Sequence, residues 1–168
     1  MENDINPYEG YPGLLPGVFA DQVAQEWRFT RTPYGPLSLQ LQHDIVRLAG
    51  FHPYWSAVMM RIPALVGVVL IGVFLPRLAR RTGHDASFAA WFGVLNPLLV
   101  VDFVGGAHND SFMMGLMVFG LWLATTASWA WIPAALVIGA SAAVKQPAVM
   151  AAVALPFIVH PVSYTHLT

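Results

Sequence analysis

The chain has 168 residues, of which 57% are apolar and only 10% are charged. Soluble domains carry about 25% charged residues, so this composition predicts a membrane protein. The net charge of −1 gives no reason to expect a nucleic-acid partner, and the absence of cysteine excludes a disulfide scaffold, a thiolate zinc site and a cysteine nucleophile in this chain.

Residues 1–55 form a polar segment that is rich in proline and aromatic side chains. Aromatic residues at this density are not typical of a flexible linker. Near its end, Leu37, Leu41, Ile45 and Leu48 are spaced by three or four residues, which places them on one face of a helix. We expect an amphipathic helix that lies on the membrane surface or covers an external site as a lid.

Four apolar stretches follow this segment. A helix needs about 17–25 residues to cross the hydrocarbon layer, and the stretches 58–78, 87–104 and 111–126 approach that length. The fourth stretch, 131–159, is interrupted by Lys145-Gln146-Pro147. Because proline removes a backbone donor and disfavours helix in the residue before it, we predict two shorter helices that meet near Gln146.

These elements predict an all-α integral membrane protein. Residues 56–160 are expected to form a multi-span helical bundle, and residues 1–55 an extracytoplasmic loop that carries the amphipathic surface helix. The three arginines in the connection 76–85 predict that this connection is cytoplasmic. Alternation of the spans then places residues 1–55 and the turn at residues 105–110 outside.

Lys145 is predicted to reach the same external face. A helix that starts at Trp131 and rises about 1.5 Å per residue carries Lys145 about 21 Å, into the outer half of a hydrocarbon layer about 30 Å thick. The N-terminal segment, the turn at residues 105–110 and Lys145 should therefore converge.

The turn at residues 105–110 contains the main candidate residues. Polar side chains at a membrane boundary are costly and indicate a functional site. Asp110 is expected to cap the following helix, either as its sole role or together with a catalytic or sugar-binding role, since a helix N-terminus favours an ionised carboxylate. Asn109 shares the cap or binds a sugar hydroxyl, and His108 is an ordinary interfacial histidine or a substrate ligand. No metal site is expected, because His108 and Asp110 lack a second histidine or a cysteine at a matching spacing.

Several charged residues elsewhere have two interpretations. Lys145 is either a lysine that extends to the membrane interface or a cation inside the bundle that binds phosphate. Arg28, Arg31 and Arg61 are candidates for the same phosphate. Asp102, near the outer end of its stretch, either pairs with an arginine or binds an acceptor.

An ordered set of motifs spans residues 5–160: Asn6-Pro7-Tyr8-Glu9, Trp27-Arg28, Thr32-Pro33-Tyr34-Gly35-Pro36-Leu37, Asn96-Pro97, Gly105-Gly106-Ala107-His108-Asn109-Asp110 and Val144-Lys145. The set resembles the actinobacterial polyprenol-phosphate-mannose-dependent α-(1→6)-mannosyltransferases, which belong to the C superfamily of glycosyltransferases. This resemblance implies a multi-pass hexosyltransferase of the plasma membrane with its active site on the extracytoplasmic face.

The resemblance also implies the chemistry. The donor is mannose on a polyprenyl phosphate, the acceptor is a mannan glycolipid of the lipomannan and lipoarabinomannan core, and no further cofactor is needed. A carboxylate accepts the proton of the acceptor hydroxyl while the mannosyl carbon is inverted. The residues expected to take part are Asp110 in catalysis, His108, Asn109, Asp102, Tyr34 and Trp27 in substrate binding, and Lys145, Arg28 and Arg31 in phosphate binding.

Relatives of this kind carry their catalytic carboxylate directly after the first membrane helix, upstream of the position that Asn6 matches. We therefore expect an internal fragment that is inactive alone. The tail at residues 163–168 resembles translated adapter sequence and is expected to be non-native. Two alternatives stay open: a transferase of another lipid-linked sugar, and a transporter or flippase with a midplane site at the broken helix near Lys145.

Overall fold

The computed structural model describes residues 6–15, 17–97 and 99–159, so the tail at 163–168 lies outside the described residues. All regular elements in the described residues are helical. In chain order they are a 3₁₀ helix (Pro12–Leu14), α1 (Val18–Asp21), α2 (Gln25–Arg28), α3 (Pro36–Leu48), α4 (Pro53–Met59), α5 (Arg61–Arg81), α6 (Ala86–Val94), a π-helix (Leu99–Gly105), α7 (Asn109–Ala124), α8 (Trp131–Val144), a second 3₁₀ helix (Gln146–Ala154) and α9 (Leu155–Val159).

Helices α4 and α5 follow each other so closely that they form one apolar rod, Pro53–Arg81, of 29 residues. Among the described residues, this rod is the one helix that is both long enough and apolar enough to cross a membrane. The stretch predicted at 58–78 is thereby confirmed as helix. Helices α7 and α8 are also apolar but shorter, with 16 and 14 residues.

The stretch 87–104 is not a continuous helix, and that expectation is wrong. Helix α6 begins after Asp85, whose carboxylate accepts hydrogen bonds from the backbone N–H groups of Ser87 and Phe88 (2.7 and 2.9 Å). The helix ends at Val94, just before Asn96-Pro97, and the chain continues as the π-helix. Proline lacks the N–H that an α-helix needs and restricts the residue before it, which accounts for the interruption.

The predicted break in the stretch 131–159 is confirmed. Helix α8 ends at Val144, and Lys145 adopts an extended conformation with φ −155° and ψ 130°. The chain then continues as the second 3₁₀ helix, which has Pro147 in its first turn, and as α9. Proline is tolerated in the first turn of a helix, where the N–H that it lacks would have no partner, so Pro147 fits the start of a new helix after Lys145.

Small and hydroxyl residues allow α5, α7 and α8 to pack closely. A Cβ added to Gly67 would lie 2.2 Å from the backbone oxygen of Ser111. The buried Ser111 hydroxyl donates to the carbonyl oxygen of Ala64 (2.7 Å), and the buried Ser141 hydroxyl donates to that of Met113 (2.7 Å). Small residues and interhelical hydroxyl bonds of this kind are typical of helices that associate in a membrane.

The helix predicted around residues 37–48 is present as α3, but its apolar positions are not equally covered. Ile45 is buried, whereas Leu48 is 77% exposed. The start of α3 lies against the end of α8, because the Gly35 N–H donates to the carbonyl oxygen of Val144 (2.9 Å). This bond brings the N-terminal segment next to Lys145. Whether α3 lies on a membrane surface stays a prediction.

Candidate functional site

An ion pair between Lys145 and Asp110 forms the centre of the site. The lysine Nζ lies 2.7 Å from Oδ1 and 2.8 Å from Oδ2 of the carboxylate. Both side chains are only partly exposed, at 26% for Lys145 and 28% for Asp110. The pair joins the first turn of α7 to the break after α8, two points 35 residues apart in sequence.

This pair corrects two interpretations made from the sequence. Helix α7 begins at Asn109 with His108 at the N-cap position, so Asp110 lies inside the first turn and its carboxylate bonds to Lys145 instead of capping the helix. The Lys145 ammonium meets this carboxylate instead of extending alone to water. Tyr34 lies beside it, with its ring centroid 5.8 Å from Nζ, within the range of a cation–π contact.

A cavity of about 770 Å³ opens onto the ion pair. His108, Asp110 and Lys145 line it together with residues of the N-terminal segment and of α3. The predicted convergence of the N-terminal segment, the turn at residues 105–110 and Lys145 is therefore confirmed. Most of the wall is apolar, aromatic or proline: Pro7, Tyr11, Pro12, Leu15, Val23, Trp27, Pro33, Tyr34 and Leu39.

The polar part of the cavity wall is smaller and contains a second cationic side chain besides Lys145. Arg31 lines the cavity and is itself exposed. Thr30, Thr32 and Gln42 add hydroxyl and amide groups, which can bind sugar hydroxyls. A mostly apolar cavity with a few polar groups is the usual form of a small-molecule site.

The turn before α7 has a backbone conformation and a close backbone approach that few residue types can adopt. Ala107 has φ +52°, in the left-handed region that is uncommon outside glycine. A Cβ on Gly106 would lie 2.5 Å from the carbonyl oxygen of Asp102, so glycine is required there by close approach. The guanidinium of Arg61 donates to the carbonyl oxygen of Gly105 (3.2 Å). These constraints fix the position of His108 at the edge of the cavity.

Four other residues considered from the sequence are not brought to the cavity wall. The Arg28 guanidinium donates to the carbonyl oxygen of Ala20 (3.0 Å) and to Asp21 (3.3 Å), so it joins α1 to α2. Arg61 bonds to backbone carbonyls, as above. Asp102 is exposed on the π-helix, and Asn109 is the first residue of α7. In contrast, Trp27, Tyr34, Arg31, His108, Asp110 and Lys145 all line the cavity.

Sequence reasoning missed Tyr11, Leu39 and Gln42 as lining residues. Leu39 and Gln42 are three residues apart on α3, so they share a face that contacts the cavity instead of the predicted apolar face. A polar residue on an amphipathic helix carries no local signal that separates a cavity position from a solvent position. Tyr11 belongs to the Tyr-Pro-Gly turn, whose aromatic side chain was the one available hint.

The arrangement can hold an anion beside an apolar group. Lysine binds phosphate as a compact charge, and aromatic and aliphatic walls favour a hydrocarbon chain or the apolar face of a sugar ring. Within the described residues, no group of three or more His, Asp or Glu side chains is placed to hold a metal ion.

Comparison with known proteins identifies the family. The family model described as "Alpha-(1->6)-mannopyranosyltransferase, N-terminal domain" matches residues 1–162. The chain belongs to this family. The resemblance drawn from the ordered motifs is thereby confirmed at the level of the alpha-(1->6)-mannopyranosyltransferase family.

Individual members of the mannopyranosyltransferase family also match the chain in sequence. Alpha-(1->6)-mannopyranosyltransferase A of Corynebacterium glutamicum is 32% identical over 95% of this chain and 31% of the relative. The enzyme of the same name from Mycobacterium tuberculosis is 31% identical over 95% of this chain and 30% of the relative. A probable alpha-(1->6)-mannopyranosyltransferase of Mycolicibacterium smegmatis is 37% identical over 88% of this chain and 32% of the relative.

The chain thus spans about a third of the length of these curated relatives. No solved structure matches it. The match to the mannopyranosyltransferase family covers the N-terminal segment, the turn at residues 105–110 and Lys145, so the whole cavity described above lies inside the matched range.

Proposed function

We propose that this chain is part of an integral membrane hexosyltransferase that moves mannose from a polyprenyl phosphate to a mannan glycolipid, with inversion at the mannosyl carbon. The names of its relatives support mannosyl transfer. The observation that carries the choice of donor is the position of the Lys145–Asp110 pair in a cavity whose walls are mostly apolar and aromatic.

This combination suits a lipid-linked phosphate better than a sugar nucleotide. An isoprenoid chain is favoured by walls such as Leu15, Val23 and Leu39 because its burial removes apolar surface from water. A donor phosphate needs a fixed cation, and Lys145 and Arg31 are the Lys and Arg side chains that line the cavity among the described residues. Trp27 and Tyr34 offer aromatic faces to the mannose ring or to the first isoprene units.

In the proposed reaction, the acceptor hydroxyl oxygen bonds to the anomeric carbon while the bond from that carbon to the phosphate oxygen breaks. The hydroxyl proton passes to a carboxylate, and polyprenyl phosphate leaves. Negative charge grows on the leaving phosphate, so a cation already in place beside it lowers the barrier. We assign Lys145 to this phosphate, and His108 and Asp110 to the sugars beside it.

We further propose that the protein is a multi-pass plasma-membrane protein, with the cavity on the extracytoplasmic side and the mannan core of lipomannan as acceptor. Arg61 contacts Gly105 next to the cavity, whereas Arg81, at the other end of α5, donates to the carbonyl oxygen of Thr125 (2.7 Å). The arginines near Arg81 therefore lie at the end of the rod opposite the cavity. By the positive-inside rule, that end faces the cytoplasm.

The proposal is tested with the complete natural protein in isolated membranes, supplied with radiolabelled mannosyl phosphopolyprenol and a mannan glycolipid. We expect label in the glycolipid and about 10²–10³-fold slower transfer for Lys145→Met, the usual cost of losing one preorganised charge-stabilising group. Arg47→Met, a change to an exposed cation of α3 outside the cavity, should transfer at the unaltered rate. Transfer from a mannosyl nucleotide but not from the lipid donor would contradict the proposal.

A further inference from the structure

We propose that donor binding proceeds by exchange of an ion pair, in which the donor phosphate takes the place of the Asp110 carboxylate on Lys145 and releases that carboxylate into the cavity. In the unliganded protein, Asp110 thus acts as an internal competitor for the phosphate subsite. This inference rests on the proposed function, because it needs a donor that carries a phosphate.

The geometry of the ammonium group carries the inference. A lysine ammonium has three N–H bonds, and two of them are donated to the Asp110 oxygens at 2.7 and 2.8 Å. The Tyr34 ring faces the same ammonium, with its centroid 5.8 Å from Nζ. Because only one N–H is left over, a phosphate that binds Nζ through two hydrogen bonds must displace at least one Asp110 oxygen.

The exchange is energetically feasible because it replaces one anion by another. A sugar phosphodiester carries a single negative charge, as the carboxylate does, so Lys145 stays paired and the cavity gains only one net negative charge. Arg31, which lines the same cavity, partly balances this charge. Both members of this pair are about a quarter exposed, so water can solvate the carboxylate as it leaves Lys145, which limits the cost of displacement.

The released carboxylate has a use in the same cavity. Asp110 and His108 both line it, so a freed Asp110 can accept hydrogen bonds from the hydroxyl groups of an incoming sugar. The acceptor-binding carboxylate would then be available only after the donor phosphate has bound. Donor first, acceptor second is the expected order of binding.

The test measures binding of farnesyl phosphate, a short polyprenyl phosphate, to the complete natural protein in detergent micelles at pH 5, where this phosphate monoester carries about one negative charge, as the donor phosphodiester does. Asp110→Asn keeps the shape of the side chain and one acceptor oxygen but removes the negative charge. We expect this variant to bind farnesyl phosphate about two- to five-fold more tightly than the natural protein, the factor that a weak, partly exposed ion pair accounts for. In the same variant, we expect mannosyl transfer to be slower.

Three controls define the outcome. Farnesol, which has no phosphate, should bind the natural protein and Asp110→Asn equally. Asp44→Asn, a change to an exposed carboxylate on α3 outside the cavity, should leave both affinities unchanged. Lys145→Met should bind farnesyl phosphate more weakly, and adding Asp110→Asn to it should give no tightening.

Suppose that Asp110→Asn binds farnesyl phosphate as tightly as the natural protein or more weakly, while Lys145→Met also weakens binding. This result would overturn the exchange and leave the phosphate site in place. Such a result would mean that Asp110 holds Lys145 in position for the phosphate. Unchanged binding by Lys145→Met would overturn the phosphate site itself, and the exchange with it. If Asp110→Asn binds farnesyl phosphate more tightly but the natural protein transfers no mannose, the exchange is supported and the proposed transfer reaction is contradicted.

Discussion

The backbone N–H of Gly35 donates to the carbonyl oxygen of Val144 at 2.9 Å, so the N-terminal segment is tied to the residue directly before Lys145. The approach is so close that a Cβ on Gly35 would lie 2.2 Å from the carbonyl oxygen of Ala143. Tyr34, next to Gly35, contacts the Lys145 ammonium. Through this one bond, the aromatic wall of the cavity is placed against its charged side.

Gly35→Ala is therefore expected to damage the site without unfolding the protein. The added methyl group must push the segment away from α8, and displacements of about 1 Å in an active site can cost about 10²-fold in rate. Mannosyl transfer by the complete protein in membranes measures the effect. Gly139→Ala is the matched control, because a Cβ at Gly139 meets no atom within 4 Å. Equal transfer by both variants would show that the Gly35 contact has no part in placing the cavity wall.

Gly67→Ala should lower the stability of the helical core. Its Cβ would meet the backbone of Ser111 at 2.2 Å, and overpacking of this kind costs about 1–3 kcal/mol. Gly139→Ala, inside α8, should instead raise stability by about 0.5–1 kcal/mol, the gain in helix propensity. Thermal unfolding in detergent compares the two. A Gly67→Ala variant as stable as the natural protein would mean that α5 and α7 do not pack through this glycine.

Arg28 and Arg31 are expected to behave differently although they are three residues apart. Arg31 lines the cavity, so Arg31→Met should raise the KM for the lipid donor about five-fold, the loss of one partly screened charge contact of about 1 kcal/mol. Arg28 joins α1 to α2 through Ala20 and Asp21. Arg28→Met should weaken the contact between α1 and α2, which faster proteolysis of the N-terminal segment would reveal. The KM of this variant for the lipid donor should change less than that of Arg31→Met. A larger KM effect at Arg28 would reverse these assignments.

Lys145 should be reachable from one side of the membrane only. The chain contains no cysteine, so Lys145→Cys adds a single thiol to this part of the protein. In cells that make the complete protein with no other reactive thiol, a membrane-impermeant maleimide is expected to label position 145 from the outside and not in inverted vesicles. Labelling from both sides would favour the transporter interpretation, since alternating access exposes a midplane site to each side in turn.

Local rules predicted much of the fold. The apolar stretch at 58–78, the helix near residues 37–48 and the break at Lys145 all depend on neighbouring residues, and all three are present. Local rules failed in the stretch 87–104. Average hydropathy there suggested a span, but Asn96-Pro97 separates an α-helix from a π-helix. Hydropathy measures the environment that a segment prefers and does not measure how far its helix continues.

Composition, periodicity and proline act over a few neighbouring positions, so the sequence alone predicts the helical character of the chain, the break at Lys145 and the polar residues worth testing. Which of those polar residues meet is visible only in the folded molecule. Asp110 and Lys145 are 35 residues apart, and their contact depends on how α7 and α8 are rotated and how closely they approach. Close packing at small residues sets the geometry of α7 and α8. The Gly35–Val144 bond sets the position of the aromatic cavity wall. Spacing along the chain predicts that the turn and Lys145 reach the same side of the helices, but it encodes neither the rotation of α7 and α8 nor the Gly35–Val144 bond.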